Sequence, residues 1–253
     1  MLKMSNINMN FKSEIDSSIQ KVLKNVSLTV EKGDCLGILG ESGSGKSTLG
    51  RIMVGILRPT SGEYTFLDAN PYKSKAEKRI LQHNISVVFQ DYNTSVNPRF
   101  TVEEIIAESV NVLAKRNKEK VDVKATVKEY LHAVGLSDDF LDRFPHQLSG
   151  GQLQRVCIAR AIAVKPQVIL LDEAISSLDA HTQVQIMELL RDLQAKYNLT
   201  YVFITHDLTA ITYLCNKVAF LYQGEITEMI AVKDIAKTKN AYARKLIDVV
   251  IDI

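Results

Sequence analysis

The sequence has almost no charge imbalance: 31 lysines and arginines face 29 aspartates and glutamates, a formal charge of +2 over 253 residues. A nucleic-acid binder usually carries a basic excess, so that class loses its electrostatic support here, a local patch aside. No stretch approaches the roughly 18 uncharged apolar residues that a membrane span requires, so the chain is not itself a channel, carrier or receptor span. Met1 to Asn10 scatters Asn and Ser among Leu, Ile and Met and lacks the continuous apolar centre of a secretory signal, which predicts that the protein stays in the cytoplasm. Cysteine is scarce. Cys35, Cys157 and Cys215 are far apart and form no C-x-x-C pair; they read as free thiols in a reducing compartment and, lying in apolar runs, as small core residues. Tryptophan is absent, which decides nothing.

What is present is an ordinary globular composition, 46% hydrophobic and 24% charged, at a length suited to one large domain or two small ones. Short apolar, β-branched runs alternate with segments of helical period. Cys35–Leu39, Ile85–Phe89, Val168–Leu171, Tyr201–Thr205 and Lys217–Tyr222 read as strands, with Leu23–Val30 an additional one near the start. Runs that are apolar throughout suit the buried strands of a parallel sheet, which predicts an α/β fold with functional loops at the strands' carboxyl ends. Between Thr101 and Gly135 the texture changes. Val102, Ile105, Ile106, Val110 and Leu113 recur at helical spacing, then comes the charged stretch Lys115–Lys128 and a further amphipathic piece ending at Val134. This is a helical insertion, and the charged stretch, which includes Glu119 and Asp122, reads as a solvated helix end or loop rather than a basic binding patch.

After the strand Cys35–Leu39 comes Gly40-Glu41-Ser42-Gly43-Ser44-Gly45-Lys46-Ser47-Thr48, then the apolar helix-like segment Leu49–Leu57. The pattern G-x-x-x-x-G-K-[ST] with a strand before and a helix after is a phosphate-binding loop. Its glycines let successive backbone N–H groups turn toward a phosphate and the helix N-terminus adds positive charge. Lys46 neutralises β and γ oxygens, and the Ser47 hydroxyl can hold Mg²⁺. The chain is therefore expected to bind a nucleoside triphosphate, and GTPases, kinases, helicases and transport ATPases all remain open.

About a hundred residues further on, Leu148-Ser149-Gly150-Gly151-Gln152 opens another helix through Val164, with a Ser cap and two glycines that offer a second anion-binding N-terminus. Val168-Ile169-Leu170-Leu171-Asp172-Glu173 is then a buried strand ending in two carboxylates. Asp172 is placed to reach a Mg²⁺ shell, and Glu173 to polarise a water attacking the γ-phosphate. Ser177-Leu178-Asp179 follows, and His206 stands directly after the strand Tyr201–Thr205.

This combination resembles the ATP-binding subunits of ATP-binding-cassette (ABC) transporters over essentially the whole chain. The resemblance implies a P-loop NTPase (RecA-like) core with an antiparallel β subdomain and an inserted α-helical subdomain. One ABC ATPase domain would span 1–253, with the core in 1–90 and 161–253 and the helical subdomain in 91–160. By the same resemblance Gly40–Thr48 is the Walker A loop, and Gln90 matches the glutamine that senses Mg²⁺ and contacts the membrane partner. Leu148–Gln152 is the signature, Asp172 ends Walker B, Glu173 is the catalytic base, Asp179 belongs to the D-loop, and His206 is the switch histidine. An aromatic residue upstream normally stacks on adenine, and alignment of Leu23–Leu28 places Phe11 there, with Lys12–Gln20 as a longer hairpin loop and a simple core aromatic as the other reading of Phe11. ATP and Mg²⁺ are the implied ligands. In this family nucleotide is sandwiched between the Walker A loop of one subunit and the signature of another, so a dimer is implied.

Gln90-Asp91-Tyr92-Asn93-Thr94-Ser95-Val96-Asn97-Pro98-Arg99-Phe100-Thr101-Val102 resembles the Q-D-P-x-x-S-L-N-P-R-x-T-V stretch of the oligopeptide, dipeptide and nickel importer branch, with Tyr92 for the usual Pro and Val96 for Leu. Phe144-Pro145-His146-Gln147 resembles that branch too. After Glu173 the chain has Ala-Ile-Ser where Pro-Thr is common. Asn240-Ala241-Tyr242-Ala243-Arg244-Lys245-Leu246 looks like a weakened H-P-Y-T-x-x-L, and no cysteine-bearing tail follows, so no iron–sulfur cluster is expected. The branch implies two transmembrane permease subunits, a second and different ABC ATPase chain, an extracellular substrate-binding protein acting indirectly, and a peripheral place on the cytoplasmic face of the membrane. The cargo, whether peptide, nickel or a metal–metallophore complex, is not encoded here. A non-transport cassette ATPase in a soluble assembly complex would share every nucleotide motif but not need Ser95–Thr101. Chromosome-maintenance and DNA-repair cassettes need a coiled-coil insertion for which the spacing leaves no room. His83, His132 and His181 lack a second ligand at helical spacing and read as structural; His146 reads as locally structural, and Arg155 as fixing the signature by hydrogen bonds.

Overall fold

The computed structural model describes residues 1–12 and 18–251. Its elements run β1 (Leu2–Lys12), β2 (Ile19–Val30), β3 (Cys35–Leu39), α1 (Lys46–Met53), β4 (Ser61–Phe66), α2 (Lys75–Asn84), β5 (Ile85–Val88), α3 (Val102–Asn117), α4 (Val123–Ala133), α5 (Gly150–Ala163), β6 (Val168–Asp172), α6 (Ala180–Tyr197), β7 (Thr200–Thr205), α7 (Leu208–Leu214), β8 (Lys217–Tyr222), β9 (Glu225–Ala231) and α8 (Ala241–Ile251). They fall into two compact units, one of Met1–Ile85 with Thr200–Ile253, the other of Ser86–Leu199.

In the first unit β1 pairs antiparallel with β2 and β4 in the order β2-β1-β4. Leu2, Met4, Ile7 and Met9 are its buried side chains. The spacing breaks step between Met4 and Ile7, where the pairing shifts register and Asn6 takes φ 51°. Such a bulge suits asparagine, which tolerates the left-handed region, and it hides the period of two from a reading of the sequence. The hairpin loop is shorter than expected: Phe11 pairs with Gln20 and Lys12 with Ile19, so these belong to strands. The remainder of that expected loop, 13–17, lies outside the described residues.

β3 pairs in parallel with both β7 and β8, and β9 closes this part antiparallel to β8. All five residues of β3 are buried, as a central strand covered on both faces requires. A Cβ at Gly37 would lie 2.9 Å from Ile211 Cδ1, so glycine there lets α7 lie close on the sheet. The parallel register, Leu36 opposite Lys217, also brings together two cysteines that are distant in sequence. Cys35 and Cys215, both buried, hold their Sγ atoms 3.3 Å apart. Burial, with Cys35 beside it, pushes the Cys215 thiol well above its ordinary value. Both are free thiols, as expected. Helix α1 ends at Met53, short of Leu57, where Gly55 at φ 74° turns the chain.

In the second unit β5 lies beside β6. β5 stops at Val88, and Phe89, expected inside the strand, is 41% exposed. The inserted segment forms α3 and α4 as its periodicity predicts, and Val102, Ile105, Ile106, Val110 and Leu113 are the buried face of α3. A capping box of Thr101 with Glu104 starts that helix. The charged stretch between them is helix end and loop, with Lys118 at φ 56° terminating α3. Arg155 of α5 donates to Val134 O at 2.8 Å and so fixes the end of α4, while His146 stacks on Phe144 and His132 pairs with Asp138.

Candidate active site

The first unit carries Phe11, Gly40–Thr48 and His206. Leu39 is paired with Thr205, the last residues of β3 and β7, so the phosphate-binding loop and the exposed His206 leave one sheet edge from adjacent parallel strands. Gly40, Glu41, Ser42, Gly43, Ser44 and Gly45 form the loop, and Lys46, Ser47 and Thr48 begin α1. Gly43 and Gly45 take φ of 80° and 105°, which only glycine enters without strain. A Cβ on Gly40 would stand 2.3 Å from Leu221 O, and one on Gly45 2.8 Å from Leu23 Cδ2. Both glycines that the pattern requires are therefore fixed by what lies behind the loop as well as by a ligand in front.

Inside the loop the Lys46 ammonium donates to Gly40 O at 2.6 Å and Glu41 O at 2.8 Å. Ser44 is 6% exposed, and its buried hydroxyl makes no hydrogen bond among the described residues. A buried hydroxyl with unused capacity is costly on its own and suits a loop shaped for an oxyanion. Phe11 stands at the end of β1, 38% exposed, and is not a core aromatic.

The second unit carries Gln90, Ser149–Gln152, Asp172, Glu173 and Asp179. Gln90 is exposed two residues past β5, and the half-buried Asp172 ends β6. Glu173 takes φ 49°, a conformation that costs a non-glycine residue about 1–2 kcal/mol. A local turn holds it there. Ser176 donates to Glu173 O from both its N–H, at 3.2 Å, and its hydroxyl, at 2.9 Å, and Gln154 Nε2 of α5 donates to Ala174 O at 2.7 Å. The strained position lies between a strand end and a turn.

Ser149 caps α5 as expected, in a full capping box: its hydroxyl accepts from Gln152 N at 3.3 Å while Gln152 Oε1 accepts from Ser149 N at 3.0 Å. The glycines next to it have local reasons that sequence reasoning missed. A Cβ on Gly150 would lie 2.6 Å from Tyr92 Oη, and one on Gly151 2.5 Å from Thr182 Cγ2. Tyr92 is one of the two residues in its stretch that depart from the branch pattern, and nothing in its own neighbourhood predicts that contact. Ser95 Oγ donates to Tyr92 O, and Arg160 Nη1 of α5 donates to Ser95 O, so the segment after Gln90 is tied to the helix that Ser149 begins. Asp179 caps α6, accepting from Thr182 N at 3.0 Å and Thr182 Oγ1 at 2.7 Å. Thr182 holds its carboxyl below the ordinary carboxylate range.

The chain matches the family model described as ABC transporter over residues 23–176. It is 44% identical over 227 residues to the metal-staphylopine import system ATP-binding protein CntF of Staphylococcus aureus, covering 90% of this chain and 89% of that protein. It is 39% identical over 235 residues to the oligopeptide transport ATP-binding protein OppF of Bacillus subtilis, covering 91% and 76%. The nickel import ATP-binding protein NikE of Escherichia coli O157:H7 is 44% identical over 214 residues, covering 84% and 79%. Among solved structures, the dimeric post-hydrolysis form of the ATP-binding cassette MJ0796 bound to ADP and Pi aligns with a TM-score of 0.80 at 31% identity, covering 92% of this chain and 99% of that one. The structure of cbiO1 from Clostridium perfringens, part of the ABC transporter complex cbiONQ, aligns with a TM-score of 0.81 at 27% identity, covering 100% and 98%.

Proposed function

The chain belongs to the ABC transporter family, and from that membership we propose that it binds and hydrolyses ATP to energise import of oligopeptides, nickel or metal–metallophore complexes through separate membrane subunits. Among the described residues no helix is long and apolar enough to cross a membrane, so translocation falls to partner chains. The proposed partners are two transmembrane permease subunits and a second, different ABC ATPase, with an extracellular binding protein acting indirectly. The chain would then sit peripherally on the cytoplasmic face of the membrane. Within it, residues 91–160 act as the helical subdomain and 1–90 with 161–253 as the nucleotide-binding core.

The observation that carries this reading is the loop itself: a buried strand running into glycine-dependent backbone, with the Lys46 ammonium inside it and the buried Ser44 hydroxyl against it. Gly40–Thr48 hold the phosphates, Lys46 neutralises the β and γ oxygens, and Phe11 offers a ring face to adenine. Ser47, Asp172 and Gln90 supply only oxygen ligands, which suits Mg²⁺. When bound, that ion would supply positive charge to offset the charge that develops on the phosphate. Glu173 polarises the attacking water, and His206 contacts the γ-phosphate. Ser149, Gly150, Gly151, Gln152 and Asp179 serve the nucleotide held by the opposing subunit, the capped helix N-terminus favouring its negative charge.

The test is ATP turnover and cargo uptake by the reconstituted transporter. Glu173→Gln should lower turnover by at least about 100-fold while leaving ATP binding intact, because only the proton acceptor is lost. Wild-type turnover in that variant would show that another group is the base.

A further inference from the structure

The peptide that joins Gly40 to Glu41 is gripped at both of its polar atoms. Its carbonyl, Gly40 O, accepts from Lys46 Nζ at 2.6 Å, and its N–H, on Glu41, donates to Tyr242 Oη at 3.2 Å. Tyr242 reaches the loop from the first turn of α8, 201 positions along the chain. That turn is itself fixed: Asn240 Oδ1 accepts the backbone N–H groups of Tyr242 and Ala243, each at 3.0 Å. The Tyr242 ring lies against Tyr222 at the end of β8, centroids 4.3 Å apart and planes at 31°, so the stack sets its torsions and aims the hydroxyl. The residue before Tyr222 is Leu221, whose carbonyl closes off the other side of Gly40.

We propose that Tyr242 is a positioning residue for the phosphate-binding loop: its hydroxyl fixes the plane of the Gly40–Glu41 peptide and, through that peptide's carbonyl, the Lys46 ammonium. This rests on the nucleotide-binding reading above. In a trans peptide the N–H and C=O point in opposite directions, so a flip of this unit would turn a donor toward a cation that can only donate. The bond to Tyr242 opposes the flip from the far side. The ammonium in turn polarises the carbonyl and strengthens the N–H as a donor, so the two contacts reinforce each other. The C-terminal helix thereby acts on nucleotide affinity without touching nucleotide.

The experiment uses the full-length chain and a fluorescent ATP analogue. Tyr242→Phe keeps the ring and its stack and deletes only the acceptor. Its dissociation constant should rise about three- to tenfold, the scale of one lost neutral hydrogen bond, with the melting midpoint close to wild type. Hydrogen exchange at the Glu41 amide should accelerate. In a Lys46→Ala background the same substitution should change the residual affinity no further, because the group it positions is gone. Unchanged affinity or Glu41 exchange in Tyr242→Phe, or a loss that adds in full to that of Lys46→Ala, would overturn the proposal. Failure of the wild-type chain to bind nucleotide would instead overturn the assigned function, and Glu41 exchange would still decide whether the hydroxyl holds the loop.

Discussion

Asp34 shows how a single side chain far from phosphate chemistry fastens the start of β3. It lies in the turn before β3 and is 7% exposed, accepting from Lys217 Nζ at 2.8 Å, Asn216 Nδ2 at 3.0 Å and Glu31 N at 2.9 Å. Burial pushes its carboxyl up, and the bonds from Lys217, Asn216 and Glu31 together outweigh burial and hold it below its ordinary value of 3.8. A carboxyl lowered by folding adds stability that is present above the unfolded-state value and is lost as pH falls through the folded one. Asp34→Asn should therefore cost about 1–2 kcal/mol at neutral pH, and its deficit should shrink as both proteins are acidified through the carboxylate range. Thermal melting across that range checks it; a deficit independent of pH would mean that packing, not charge, is what the residue supplies. Cys35 and Asn216 make the neighbouring contact, Cys35 N donating to Asn216 Oδ1 at 2.8 Å, so the base of β3 is fastened to β8 by side chains as well as by the ladder.

At the scale of elements, what was legible in the sequence was what burial makes unambiguous. β3, β6, β7 and β8 are apolar runs covered on both faces, and their pattern marks them within a residue or so; the α3 stripe and the Ser149 cap are equally plain. β4 and β9 leave no mark in the sequence, because Ser61-Gly62-Glu63 and the half-exposed residues of Glu225–Ala231 carry no apolar period. β1 was hidden by its bulges, and the start of β2 by the exposed Ile19, Gln20 and Lys21. The site motifs were legible because loop chemistry demands particular residue types at fixed spacing. Their supports were not, since Tyr242 on Glu41, Tyr92 on Gly150 and Thr182 on Gly151 are contacts across long stretches of chain that no local pattern encodes. The Ser149 cap gives the element-scale prediction. Ser149→Ala removes the hydroxyl that accepts from Gln152 N and should destabilise the start of α5 by about 1 kcal/mol. Faster hydrogen exchange confined to the first turn of α5 is the expected signature, and Ser149→Asp, which can still cap, should restore protection.

At the scale of the molecule, the near-zero net charge constrains how the chain can meet a membrane. A peripheral protein held by anionic lipid uses a basic surface, and its attachment weakens as salt shortens the Debye length to about 3 Å near 1 M. With +2 over 253 residues that mode has little to work with, so the attachment proposed above would rest on packed protein contacts, for which the segment from Ser95 to Thr101, tied to α5 through Ser95, is the candidate face. Tagged chain in cell membranes should accordingly resist a wash at ~0.5 M salt, fail to bind anionic vesicles, and leave the membrane fraction when the permease subunits are deleted. Extraction in detergent should recover two multi-span proteins and a homologous ATPase with it, and mass spectrometry of the complex tests both points at once. Recovery with soluble proteins alone would favour an assembly ATPase, because every nucleotide motif would be retained while the segment from Ser95 to Thr101 lost its reason to be there.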